Sequence, residues 1–297
     1  MILTAVIRSL SRGSLSSRGI VGIRQFCTSL EEDEIKVDRL TGQDSGIMVL
    51  GLNRPKAKNS WSKKLVNSCA EIIDAVRFDK DVRVLIICST TPGIFCAGAD
   101  LKERAKMDPS EVAPFVSKAR KLLGDIEALS VPTIAALDGP ALGGGLEMAL
   151  ACDIRTASTD AKMGLVETKL AIIPGAGGTQ RLPRLVGPSK AKELMFTAKI
   201  FTGEEAEKIG VVNHAVPQNT DGNAAFHKAM EIAKAILPNG PIGVKMSKVA
   251  VNKGMDVDLG SGLAIEEACY AQVIPTKDRI EGLTAFREKR KPQYKGE

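Results

Sequence analysis

Histidine is almost missing from this chain of 297 residues: His214 and His227 are the only two, and neither lies in a glycine-rich segment. A Ser-His-Asp or Cys-His nucleophile system is thereby disfavoured, and proton transfer falls to carboxylates. Cysteine is scarce as well. Six occur, at 27, 69, 88, 96, 152 and 269, with no C-x-x-C pair and no histidine nearby. Neither a zinc site nor a disulfide framework is indicated, and a reducing compartment fits. No apolar run reaches the length of a transmembrane helix, so no membrane partner is expected. Acidic residues are absent before Glu31, while Arg8, Arg12, Arg18, Arg24 and six serines fall in the first thirty positions. That is the composition of a cleavable mitochondrial transit peptide, expected over residues 1–30, with a matrix location for the mature protein. Its removal would lower the net charge from +6 to about +2, too little for a general affinity for polyanions.

What is present is a large apolar content, 44%, enough for a substantial core. Glu34–Leu40 and Ile47–Leu52 read as two short strands in a hairpin-like start. Leu65, Val66, Cys69, Ile72, Ile73 and Val76 recur at helical spacing and predict a helix from about Ser62 to Phe78. Val82–Cys88 and Val131–Leu137 are nearly continuous apolar runs, as in strands buried on both faces. Asp108-Pro109-Ser110-Glu111 predicts a helix start, with the helix running to about Leu129. Thr202-Gly203-Glu204-Glu205 is a further capping box, and helices are expected near 222–237, 241–254, 258–273 and 276–288. No strict repeat or linker divides the chain after the basic segment. One catalytic core, 31–225, and a helical C-terminal region, 226–297, are expected. Leu259, Leu263, Ile265, Ile274 and Leu283 are more apolar residues than that region can bury by itself, which suggests packing between subunits.

Two stretches carry the chemistry. Gly139-Pro140-Ala141-Leu142-Gly143-Gly144-Gly145-Leu146-Glu147 ends a predicted strand and opens a helix expected over Leu146–Cys152; Met163-Gly164-Leu165-Val166-Glu167 follows. A glycine run lets backbone approach a ligand closely, and strand, glycine loop, helix is an order that favours anions. Upstream, Phe95-Cys96-Ala97-Gly98-Ala99-Asp100 is a second small-residue turn. The N–H groups of Ala99 and Gly144 are therefore candidate donors to one developing oxyanion. Glu147 is the candidate base for water and Glu167 the candidate acid, a division that coupling between the two would blur. A glutamate at a helix start also simply complements the helix dipole, and a loop glutamate is also simply a solvated charge. Pro174-Gly175-Ala176-Gly177-Gly178-Thr179 has the look of a phosphate loop but lacks both the third dinucleotide glycine and a Gly-Lys-Ser/Thr. Asp100, Asp138 and Asp153 lack ligand spacing and read as turn or structural groups, so no metal is expected.

In order and spacing, Phe95–Lys102, Gly143–Glu147, Glu167 and Pro174–Leu182 resemble the crotonase (enoyl-CoA hydratase/isomerase) superfamily, from about residue 34 to the end. The resemblance implies an α/β fold, a crotonase-like spiral of ββα units with a C-terminal helical trimerisation region, assembled as homotrimers or hexamers. It implies an acyl-CoA substrate and no separate cofactor, coenzyme A being part of the substrate. Ala99 and Gly144 match the oxyanion positions, Glu147 and Glu167 the two hydratase carboxylates, and the backbone of Ala97, Gly98, Ala99, Asp100 and Leu101 the CoA-binding turn. Both glutamates being present favours hydration over the family's other reactions.

Lys102–Met107, Met163–Pro174 and Ile265–Gln272 resemble more narrowly a mitochondrial branch of that family, active in leucine breakdown on a branched enoyl-CoA that ends in a carboxylate. A basic residue near the acyl end of the pocket is then expected. The same branch implies contact with AU-rich RNA through a lysine-rich helix, here Lys58 to Ile73. Lys58, Lys63 and Lys64 remain in it, but Asn67 and Glu71 stand where further positive charge would be wanted. A solvated helix face explains those lysines better than RNA contact does, and packing explains Trp61 better than base stacking does.

Overall fold

The structure, a computed structural model, describes residues 33–297; the expected transit peptide, residues 1–30, lies outside the described residues. β1 (Ile35–Arg39) and β2 (Ile47–Leu52) pair antiparallel, with Ile35 opposite Leu52, as the hairpin-like start predicts. From β2 the chain repeats one path: a strand in a main sheet, a very short strand in a second layer, then helix. The first turn is β2, Trp61 and α1 (Lys63–Phe78). The second is β3 (Val84–Ser89), the 96–99 turn, α2 (Leu101–Ala105) and α3 (Pro109–Glu127). The third is β4 (Thr133–Leu137), β5 (Ala141–Leu142) and α4 (Gly144–Ala151). The fourth is β6 (Ile154–Ser158), β7 (Met163–Gly164), a 3-10 turn at Glu167–Leu170, then α5 (Gly178–Val186), α6 (Pro188–Phe196) and α7 (Gly203–Lys208). β8 (His214–Val216) closes the main sheet, and α8 (Ala224–Ile236), α9 (Pro241–Gly254), α10 (Leu259–Val273) and α11 (Lys277–Glu288) follow.

The main sheet runs β1-β2-β3-β4-β6-β8, parallel from β2 onward. The second layer is held by single bridges, Trp61 to Ala99 and Cys96 to Ala141, by the parallel pair β5-β7, and by Met163 to Phe201. Stacking these layers turn by turn gives the expected spiral of ββα units. Strands buried on both faces explain the continuous apolar runs: Val84, Ile86 and Cys88 of β3 face Ala229 and Ala233 of α8, while Leu85 and Ile87 join the core with α1 and α3.

Local signals set the helix starts. Ser62 caps α1 by accepting the Leu65 N–H at 2.9 Å, and Thr202 and Glu205 form the full capping box at α7. α4 begins at Gly144, two residues before the predicted start, so Glu147 stands in its first turn. α2, α5 and α6 lie outside the expected helices; Pro183 and the Gly187-Pro188 break interrupt the helical period of the last two. Asp100, Asp138 and Asp153 are structural. Asp100 caps α2 and pairs with Arg54 at 2.9 Å, Asp138 accepts the Ala225 and Phe226 N–H groups at 2.7 and 2.9 Å, and Asp153 holds Lys248 at 2.7 Å.

Candidate active site

The site lies on the second layer, where two small-residue turns meet. In the bridge between Trp61 and Ala99 it is the neighbours of Ala99 that bond to Trp61: the Trp61 N–H donates to Gly98 O at 2.7 Å and the Asp100 N–H donates to Trp61 O at 3.2 Å. The Ala99 N–H therefore points away from Trp61 and has no backbone acceptor among the described residues. Gly144 is the first residue of α4, whose leading N–H groups have no intrahelical acceptor. Gly98, at φ +90°, brings the two together: a Cβ there would lie 2.7 Å from Leu142 O and 3.3 Å from the Gly144 nitrogen. Only glycine fits both that backbone conformation and that approach. Gly145 is constrained by space alone, since a Cβ would lie 2.2 Å from Cys96 O.

Glu147 is buried, and its Oε1 accepts the N–H groups of Ala176 and Gly178, each at 2.8 Å. The segment that reads as an incomplete phosphate loop thus cradles a carboxylate of its own chain. Burial pushes the Glu147 carboxyl above its usual range, against the pull of the Gly178 and Ala176 amides and of nearby Arg181 and Arg120. Those arginines brace the cradle: Arg120 Nε donates to Gly175 O at 2.9 Å, and Arg181 donates to Ala176 O at 3.1 Å while pairing with Glu127 at 2.7 Å.

Glu167 opens the 3-10 turn and is half-buried. Its carboxyl is pushed up to about 7 by burial, with the Glu147 charge adding to the rise. Its Oε2 is shielded from solvent and lacks a hydrogen-bond partner among the described residues. A Cβ built on Gly143 would stand 3.1 Å from Glu167 Oε1, so Glu167 lies against the start of α4, the helix that carries Glu147. The structure thus brings Ala99, Gly144, Glu147 and Glu167 into one neighbourhood. Among the described residues no group of three or more His, Cys, Asp or Glu side chains is arranged to hold a metal ion.

A family model described as enoyl-CoA hydratase/isomerase matches residues 42–297. The chain belongs to that family. It is 62% identical over 266 residues to methylglutaconyl-CoA hydratase, mitochondrial, of Homo sapiens, spanning 90% of this chain and 78% of the relative. It is 54% identical over 263 residues to enoyl-CoA hydratase domain-containing protein 2, mitochondrial, of Mus musculus, with 89% of each chain covered. A crystal structure of enoyl-CoA hydratase from Bacillus anthracis superposes with a TM-score of 0.85 at 46% identity, covering 89% of this chain and all of the other. The mitochondrial names of the relatives agree with the address read from residues 1–30.

Within this enoyl-CoA hydratase/isomerase chain the other expected site residues fall as follows. The Ala97 N–H donates to Lys58 O at 3.0 Å, and Gly98 O and the Asp100 N–H are taken by Trp61, whereas the Ala99 N–H has no backbone acceptor among the described residues. Leu101 is exposed beside it. Lys58 does not belong to the lysine helix expected over Lys58 to Ile73: it sits in a left-handed turn (φ 52°) before α1 begins. Lys63 and Lys64 are exposed on α1, but Lys63 Nζ pairs with Glu111 at 3.1 Å. Trp61 is buried against Gly144 and offers no face to a base.

Proposed function

We propose that the chain adds water across the α,β double bond of 3-methylglutaconyl-CoA, giving 3-hydroxy-3-methylglutaryl-CoA. The observation that supports it most is the unequal treatment of two neighbouring carboxyls: Glu147 gripped by two amide N–H groups, Glu167 raised to about 7 with a buried oxygen lacking a partner. A hydratase needs one carboxyl ionised and the other protonated, and those environments favour that split. The relatives supply the acyl group: 62% identity to a methylglutaconyl-CoA hydratase covers nearly the whole folded body.

In this reading the thioester oxygen rests between the Ala99 and Gly144 N–H groups, the latter at the positive end of α4. The Glu147 carboxylate takes a proton from water as the water oxygen bonds to the β-carbon. The π electrons shift toward the thioester oxygen. Glu167 then delivers its proton to the α-carbon, and the pair has moved one proton from Glu167 to Glu147, which solvent exchange resets. The CoA arm passes over Ala97–Leu101. Subunits assemble as trimers or pairs of trimers through the helical end, where Leu259, Leu263, Tyr270, Ile274, Leu283 and Phe286 are exposed. Steady-state turnover of 3-methylglutaconyl-CoA and crotonyl-CoA by the purified chain tests the reading. Preference for the first supports it; turnover of crotonyl-CoA alone would make the chain a general short-chain hydratase.

A further inference from the structure

A substrate that ends in a carboxylate needs a cation at the acyl end of the pocket. We infer that Arg104 is the residue that recognises this distal carboxylate and so determines substrate choice, an inference that rests on the proposed hydratase reading. Arg104 lies on α2, one turn beyond the Ala99 N–H, and donates its own backbone N–H to Asp100 O at 2.8 Å. Its guanidinium lies over the Phe115 ring of α3, with Cζ 5.1 Å from the centroid. The next residue of α3, Val116, reaches the Glu147 cradle: its Cγ1 stands 2.9 Å from where a Cβ on Gly175 would be. Arg104 thus links the helix that follows the oxyanion turn to α3, the helix whose Val116 also contacts the cradle segment of Glu147.

Its Nη1 is shielded from solvent and has no hydrogen-bond partner among the described residues. A buried guanidinium nitrogen left unpaired is costly, and a carboxylate would satisfy it with a charge-assisted bond. The neighbouring carboxylates are already engaged: Asp100 by Arg54 and the α2 N–H groups, Glu103 by the Lys63 N–H at 3.0 Å, Glu111 by Lys63 Nζ. The Phe115 contact is to a ring that takes no hydrogen bond in the guanidinium plane, and the planar fork of N–H donors matches a two-oxygen carboxylate. The carboxylate of 3-methylglutaconyl-CoA is separated from the β-carbon by one methylene group, so it enters the pocket beyond the reacting double bond.

The test compares 3-methylglutaconyl-CoA with 3-methylcrotonyl-CoA, which has the same branched alkene and lacks the carboxylate. The ratio of kcat/KM for the two thioesters is measured in wild type, Arg104→Leu and Arg104→Lys; it does not depend on how much of each preparation is folded. The wild-type ratio is expected to fall about 10- to 100-fold in Arg104→Leu, as loss of a charge-assisted contact implies, with Arg104→Lys between. Equal loss on both thioesters, or no loss on either, would overturn the assignment to Arg104. A wild type inactive on both would instead overturn the hydratase reading itself.

Discussion

Gly178 donates its backbone N–H to Oε1 of Glu147 at 2.8 Å, across thirty-one residues of sequence. A side chain at position 178 would intrude on this contact, since a Cβ would lie 2.9 Å from Leu165 Cδ1, 3.0 Å from Pro174 Cβ and 3.1 Å from Glu147 Cγ. The Leu165 methyl can give way by a side-chain shift, but the contact on Glu147 Cγ yields only by moving the side chain that carries the carboxylate. Gly178→Ala is therefore expected to lower kcat at least tenfold, because a small misplacement of a base weakens general base catalysis steeply. Its cost to stability should stay within the roughly 1–3 kcal/mol of ordinary overpacking. A Gly178→Ala protein with unchanged turnover would separate Glu147 from the chemistry.

The two carboxyls themselves are the direct test. Glu147→Gln and Glu167→Gln each remove a proton carrier while keeping shape, and each should reduce hydration by at least about two orders of magnitude, the usual weight of a general acid or base. Affinity for a non-reacting acyl-CoA should persist, because neither substitution touches the Ala99 and Gly144 amides. Kinetics and calorimetric titration on the same preparations distinguish the two effects. Retained turnover in either variant would remove that residue from the scheme.

The carboxylates and the glycine turns were legible because glycine density and a nearby acid form a local signal. The cradle of Glu147 was not. Ala176 and Gly178 belong to a segment whose pattern suggests a phosphate loop, and nothing local says that the anion it faces is a side chain from α4. The second layer was equally hidden, since bridges of one residue, as at Trp61 and Ala99, are too short to show a period of two. The C-terminal helices were read within two residues of their starts because Gly240-Pro241, Asp258 and Thr276 mark those starts chemically. Arg104 stood in a recognised motif without a role, because burial of one guanidinium nitrogen is a property of tertiary structure alone.

Helix α10 buries only Cys269 of its own residues, although Leu259, Leu263, Tyr270 and Ile274 project from its neighbourhood. So much exposed apolar surface is unusual for a monomer. Leu263→Glu is expected to shift the assembly to smaller species in sedimentation velocity, while far-UV circular dichroism stays unchanged. A single monomeric species in the unsubstituted protein would contradict the proposed assembly.

Protonation offers the last test. The Glu167 carboxyl is raised in the folded state to about 7 from a usual 4.5, by burial first and by Glu147 second. A carboxyl raised on folding binds its proton more tightly in the native state, so its contribution to stability is fully present below the unfolded value and is lost as pH rises through about 7. If Glu167 supplies the proton to the α-carbon, kcat/KM must fall along the same alkaline limb, with an apparent pKa that belongs to the coupled pair. Between pH 5 and 8 the wild type should therefore lose both stability to urea and hydration rate with rising pH. Glu167→Gln, which cannot ionise, should flatten the stability slope in that window, leaving only the part that the raised Glu147 carboxyl contributes. A kcat/KM that rises steadily across pH 7 would mean that the ionised form of Glu167 is the active one, and the acid and base assignments would have to be exchanged.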